Sequence, residues 1–211
     1  MTAIDLAPEN VKSVQAKAAQ NQWSNITSVD VGSILALPYG DRSFDAVWCA
    51  NTMQYLSDEQ VRRAIGELRR VVRAGGLVAV KDYDPTGQQF LPLPYTLCLH
   101  RYEAMARGGS QNDQGLLRIA HLSQYMREAG LVDVRQRPTL MVRCQPLREV
   151  EKRFLSDLFV QLAAQAAQTD LPSEEKAIWR QLSDLRSPDH ILNQPDFQYR
   201  AIQTVFVGRV P

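Results

Sequence analysis

Residues 33–84 decide the fold: SILALPYGDRSFDAVWCANTMQYLSDEQVRRAIGELRRVVRAGGLVAVKDYD. Two short apolar runs stand in this stretch, Phe44-Asp45-Ala46-Val47-Trp48-Cys49-Ala50 and Leu77-Val78-Ala79-Val80. Both are rich in Val or aromatics and bounded by turn residues, the pattern of strands buried on both faces. Between them Val61, Ile65, Leu68 and Val72 recur at helical spacing. Arg62, Arg63, Glu67, Arg69 and Arg70 fall mostly on the other side. Ser57-Asp58-Glu59 predicts the cap and acidic first turn, and Gly75-Gly76 the left-handed stop. Strand, helix and strand with tight joints make a βαβ unit, hence a parallel sheet.

Working outward, Ala3-Ile4-Asp5 reads as the stub of a strand. Ala7-Pro8-Glu9-Asn10 opens a helix, and Ile26 to Val31 forms a short strand. Gln88 to Tyr95 is too broken by proline for a central strand. Tyr95 to Ala106 reads as a helix, Gln111 to Gly115 as a polar loop and Leu117 to Ala129 as a second helix. Val132 to Arg137 is an alternating strand, and Thr139 to Arg143 extends it. Residues 146–186 are helical, broken at Leu171-Pro172-Ser173, and Gln203 to Arg209 closes the chain as a strand.

The bulk numbers exclude several classes. Lys and Arg number 24 against 23 Asp and Glu, a net charge of +1, so no broad field draws the chain to nucleic acid or anionic lipid. No apolar run approaches a membrane span. Cys49, Cys98 and Cys144 lack paired or metal-like spacing and read as reduced thiols of a cytoplasmic protein, with no metal set expected.

The same decisive stretch resembles a known family. Leu37-Pro38-Tyr39, then Asp41, then Ser43-Phe44-Asp45-Ala46-Val47 is similar to the "LPF-x-D-x-SFDAV" signature of class I S-adenosylmethionine-dependent methyltransferases. Glu67 to Gly76 resembles that family's "E-x-x-RVLKPGG". The nearest flavour is the small-molecule group related to quinone-biosynthesis methyltransferases. The resemblance implies one α/β domain over 1–211 with a Rossmann-like, mostly parallel sheet and an antiparallel last strand. Helical lid elements are expected at about 85–115 and 146–186. It also implies S-adenosyl-L-methionine as cofactor along the carboxyl edge of the sheet, touching Asp5, Ser33, Ile34, Ala50 and Asn51. Asp5 matches the acid that grips both ribose hydroxyls, since two carboxylate oxygens accept from two neighbouring donors. Ser33 stands where relatives usually carry an acid toward the adenine amine, and the Ile34 N–H would serve a ring nitrogen. Asp45 is implied to be structural.

The family's first strand and glycine-rich loop would lie before Ile4, and no G-x-G-x-G occurs in these 211 residues. A truncated or degenerate copy is therefore the expectation. The alternative is a sheet re-closed by direct pairing of its neighbours or by a second subunit, which leaves a homodimer open. Two rival functions stay beside methyl transfer to a small molecule: a non-catalytic remnant or interaction module, and a nicotinamide oxidoreductase. Tyr55, the Asp82/Asp84 pair and His100 are candidate substrate-facing or acid–base groups. Each has a packing or solvated-loop alternative, and no catalytic residue is assigned.

Overall fold

The computed structural model describes residues 1–26, 28–108, 115 and 117–211. Strand β1 (Thr2–Asp5) pairs in parallel with β2 (Ser28–Val31), and helix α1 (Pro8–Gln20) joins them. A second sheet contains β3 (Phe44–Ala50), β4 (Val72–Leu91), β5 (Val132–Cys144) and β6 (Gln198–Arg209), in the order β3-β4-β6-β5. Strands β3 and β4 are parallel, while β6 runs antiparallel to both β4 and β5. Three strands thus point one way and the last is reversed. The polar loop read at Gln111 to Gly115 lies outside the described residues except for Gly115.

Among the described residues the sheet is not re-closed by direct pairing: β1 and β2 form a sheet of their own, and β3 pairs along one edge, with β4. The expectation of a strand buried on both faces is corrected here, because Trp48 of β3 is 61% exposed.

Helix α2 (Asp58–Val71) joins β3 to β4 and starts on a capping box. The Ser57 hydroxyl accepts the Gln60 N–H, and the Gln60 side chain accepts the Ser57 N–H. It buries Val61, Ala64, Ile65, Leu68 and Val71 against the sheet. The helix ends at Val71 without a glycine cap, another correction. Gly75 instead takes its left-handed φ of +77° inside β4, where the pairing with β3 jumps from Phe44↔Val72 to Ala46↔Leu77. A Cβ on neighbouring Gly76 would stand 2.5 Å from the Asp45 carbonyl.

The proline-rich stretch is also not what its sequence suggests. β4 continues to Leu91, and Gln89 to Leu91 pair with Arg200 to Gln198. Pro85 is accommodated where the β4–β6 register shifts between Asp84 and Gln89, and Pro92 falls just past the strand end. The β4–β6–β5 ribbon therefore overhangs the end of β3, which stops opposite Lys81. Helices α3 (Leu97–Gly108), α5 (Glu149–Ala167) and α6 (Ser173–Ser183) form a second core with this overhang. The short α4 (Leu122–Glu128) belongs to the first core with α2. Phe90 centres the second core, its ring 4.7 Å from Phe159, 5.2 Å from Tyr199 and 6.5 Å from Trp179.

The small sheet is tied to the large one through α2. Residues 35–39 run alongside that helix in its own direction. Arg63 Nε donates to the Leu35 carbonyl (2.8 Å), and Glu67 Oε2 accepts the Leu37 N–H (2.8 Å). Arg70 donates to the carbonyls of Leu37 (3.0 Å) and Tyr39 (2.8 Å). Arg70 also bonds Glu67 and Asp41. The Arg70 guanidinium holds the Glu67 carboxyl below its ordinary range. Glu67→Ala is expected to speed amide exchange at Leu37 by roughly tenfold or more, and Glu67→Gln by less, because glutamine still accepts. Unchanged exchange at Leu37 in the alanine variant would contradict this role.

Candidate active site

The carboxyl end of β3 and β4 is the rim on which ligands of open parallel sheets sit. Asn51 follows β3 there in a left-handed conformation (φ 54°). Its N–H donates to the Lys81 carbonyl (2.8 Å), and its Oδ1 accepts from Lys81 Nζ (2.8 Å). The neighbouring Ala50 carbonyl accepts from the Thr52 hydroxyl.

The other predicted residues reach this end by way of α2. Leu35, Leu37 and Tyr39 meet Arg63, Glu67 and Arg70 in that order, so Ser33 and Ile34 lie toward the start of α2, the end next to Asn51. Asp5 is beside them, since the Gly32 N–H donates to its carbonyl. This order along α2 sets Ser33, Ile34 and Asp5 toward its first turns, and Ala50 and Asn51 precede that helix at the end of β3. Asp5 is exposed. Its Oδ1 accepts from the Ala7 N–H (2.8 Å) and Asn10 Nδ2 (3.1 Å), which leaves Oδ2 without a partner among the described residues. The Ser33 hydroxyl accepts from the Leu35 N–H (3.2 Å), and the Ile34 N–H likewise has no described partner. Asp5 Oδ2 is thus left as an acceptor and the Ile34 N–H as a donor among the described residues. Asp30 likewise takes its bonds, from the Ser28 and Tyr39 hydroxyls, on a single oxygen, Oδ2.

Beside Asn51, under the overhanging ribbon, opens a cavity of about 870 Å³. Its rim side is made by Asn51, Gln54 and Tyr55, and its back wall by Tyr83, Gln88, Met141, Tyr199 and Gln203 of the ribbon. Arg101, Tyr102 and Met105 of α3 and one side of α5 close it. The wall is wired by hydroxyls. Tyr102 donates to Gln88 Oε1 (2.8 Å), and the Tyr83 and Tyr102 oxygens lie 3.3 Å apart. Burial pushes both phenols up, and Tyr199 up to about 12, so all three stay neutral donors near pH 7. Glu151, also on the wall, is held down at about 2 by Arg148 and, more weakly, Arg143, and is a poor base.

Three tempting residues have other roles. Half-buried His100 bonds Glu175 through Nδ1 (2.7 Å), tying α3 to α6. Asp84 accepts from the N–H and hydroxyl of Thr86. Asp82 is no solvated rim residue: it is 2% exposed, and the N–H groups of Tyr83, Gln54 and Met53 face its carboxylate. It thereby anchors the 3-10 turn Met53–Tyr55 that carries Tyr55 to the cavity. Desolvation nonetheless wins and raises its carboxyl to about 6.

Sequence reading alone gave no role to Tyr83, Gln88, Arg101, Tyr199 or Gln203. Tyr83 and Gln88 were hidden because residues 85–95 read as lid and as too broken by proline for a central strand. Arg101 did leave a signal, a cation on the apolar stripe of Leu97, Cys98, Tyr102 and Met105.

The raised Asp82 carboxyl predicts a pH signature. Between about pH 4 and 6 the folded state keeps a proton that the unfolded chain releases, so this group removes stability as pH rises through that window. D82N abolishes the effect. The variant should gain on the wild type by up to about 3 kcal/mol between pH 4 and 7, read by urea unfolding at each pH. A pH-independent difference would contradict it.

Comparison with known proteins places these observations. Residues 1–80 match the family model described as "Methyltransferase domain". The 27-O-demethylrifamycin SV methyltransferase of Amycolatopsis mediterranei is 27% identical over 62% of this chain and 45% of its own length. The demethylmenaquinone methyltransferase of Roseiflexus castenholzii is 32% identical over 50% of this chain and 48% of its own. Ajmaline N-methyltransferase of Rauvolfia serpentina is 32% identical over 42% and 32%. The chain thus spans a third to a half of these relatives' length. Among solved structures, the YcgJ protein of Bacillus subtilis superposes with a TM-score of 0.56 at 15% identity, covering 99% of this chain and 81% of that one. Phosphoethanolamine N-methyltransferase 2 of Haemonchus contortus, solved with S-adenosyl-L-methionine, gives 0.52 at 14% identity, covering 100% and 43%. At such identities the likeness is one of fold.

Proposed function

We propose that this chain, which is related to the class I S-adenosylmethionine-dependent methyltransferases, carries the acceptor side and the adenosyl side of a small-molecule methyl-transfer site. The observation that carries the reading is the cavity of about 870 Å³ that Asn51 lines at the carboxyl end of β3, with the segment after Ser33 and Ile34 bonded along α2. A cavity of this volume, partly open to solvent, suits a small-molecule acceptor. The relatives named above act, by their names, on compounds of that size.

In this reading Asp5 holds the ribose, Ser33 and the Ile34 N–H take the adenine, and Ala50 and Asn51 border the remainder of the cofactor. S-adenosyl-L-methionine bound there supplies an activated methyl group on a sulfonium. The chain's own contribution is positioning. Tyr83, Tyr102 and Gln88 offer hydroxyl and amide groups that orient the acceptor, while the apolar side of α5 keeps water out. The cavity-wall acid, Glu151, is neutralised by its arginines, so an acceptor that is already a good nucleophile suits the site best. Helices α3, α5 and α6 then serve as its lid. Buried, unpaired Cys49 and Cys98 suit a reducing cytoplasm, and the second edge of β3, unpaired among the described residues, leaves room for a second copy. No helix among the described residues is long and apolar enough to cross a membrane.

Calorimetric titration with S-adenosyl-L-methionine tests the reading. The wild type should bind, and Asp5→Ala should bind about 10–100-fold more weakly, the loss of charge-assisted hydrogen bonds to the ribose. Equal affinity for both proteins would place the ligand elsewhere.

A further inference from the structure

Arg101 is a cation where its helix is apolar. It is 1% exposed and sits among Leu97, Cys98, Tyr102, Ala104 and Met105 on the buried stripe of α3. Every described group that it touches is uncharged. Nη1 donates to Gln165 Oε1 (2.8 Å) and to Met105 Sδ (2.8 Å). The guanidinium lies 4.1 Å over the Tyr102 ring and 5.7 Å from that of Trp179. Nε is buried without a partner. Both hydrogen bonds leave from Nη1, so the Nε–Nη2 edge, whose two parallel N–H groups match a carboxylate, donates to no described residue.

Nearby acids do not offset this charge. Among the described residues no carboxylate forms an ion pair with Arg101. Glu151, across the cavity, is shared by Arg143 and Arg148, and Glu175 is bonded to His100. The phenols of Tyr83 and Tyr102 are pushed up by burial and stay neutral. A guanidinium cannot shed its charge to escape this cost. A buried, uncompensated cation is strongly unfavourable unless something of opposite charge arrives. Arg101 lines the cavity together with the apolar side chains of Met141, Phe154, Leu158 and Leu162.

We propose that the Arg101 guanidinium recognises the carboxylate of an organic acid whose apolar or aromatic body fills the cavity under α5. The proposal names the acceptor class of the methyl-transfer site above and rests on that reading only for the statement that the bound acid is the acceptor. The charge pair forms without any proton or electron transfer, since both groups are ionised at neutral pH. Neutral isosteres lose it, because an amide leaves the cation unpaired.

The test uses the full chain and a matched probe set: benzoate, cinnamate, 1-naphthoate and 4-phenylbutyrate, each against its primary amide, by calorimetry at pH 7.5. At least one acid should bind about tenfold or more tightly than its amide. Arg101→Met should erase that preference while keeping the amide's affinity, and Arg101→Lys should keep part of it. Circular dichroism checks that both variants fold; should Arg101→Met not fold, the wild-type and Arg101→Lys acid-to-amide ratios decide. Acids that bind no better than amides, a preference that survives in Arg101→Met, or no binding by any acid would each overturn the proposal. S-adenosyl-L-methionine titrated into the same proteins separates the two readings. Acid selectivity without cofactor binding leaves Arg101 recognition standing and removes the methyl-transfer reading. Cofactor binding with methyl transfer only to neutral or cationic acceptors does the reverse.

Discussion

Everything in the proposed site depends on the Glu67–Arg70 pair on the face of α2. Among the described residues the two sheets share no strand pairing, and β3 pairs along one edge, with β4. What registers one against the other is a set of charge-assisted bonds from α2 to the backbone of residues 35–39. Glu67 takes an N–H and Arg70 takes two carbonyls, so a connecting segment without regular structure gains satisfied backbone groups. Because that segment runs parallel to α2, it carries Ser33, Ile34 and Asp5 to the end of the helix where β3 finishes. Hydrophobic contact assists: Ile4, Ile34 and Leu35 pack on the core that α2 forms with β3 and β4. Packing alone sets no register, however, whereas bonds to named carbonyls do.

The second constraint is the length of β4 and β6. A strand that stopped with β3 would leave the rim open to solvent. Carrying the ribbon onward to Leu91 builds a wall against which α3 and α5 can close, and Phe90 fastens that arrangement from within. The chemistry of the enclosure follows. The phenols of Tyr83 and Tyr102 are too desolvated to ionise near pH 7, Glu151 is neutralised by arginines, and the most buried charge is a cation.

Much of this was legible in the residues. The apolar runs at Phe44 and Leu77, with amphipathic α2 between them, gave the βαβ unit, because burial imposes periodicity strongly there. The motif residues Glu67 and Arg70 turned out to matter through their contacts with the Leu37–Asp41 segment, a pairing that spacing alone does not reveal. Gly75 was recognisable as a left-handed residue, but whether it capped a helix or bulged a strand depended on its pairing with β3. The overhang was illegible since Pro85, Pro92 and Pro94 argue locally against a strand, whereas Pro85 sits at the β4–β6 register shift and the other two lie past Leu91. Asp82 looked like a solvated acid because nothing local shows that the 3-10 turn at Met53 folds over it. The burial of Arg101 could not be read locally, because it comes from Gln165 of α5 and Trp179 of α6, more than sixty residues away.

The central claim is that Asp5 and the cavity beside Asn51 serve one bound ligand pair along a single rim. A crystal structure of this chain with S-adenosyl-L-homocysteine tests it most directly. The account predicts density for the ribose against the Asp5 carboxylate, with the cavity lined by Tyr83 and Arg101 left open beside it. Ligand density away from Asp5, or filling the Tyr83–Arg101 cavity itself, would contradict it.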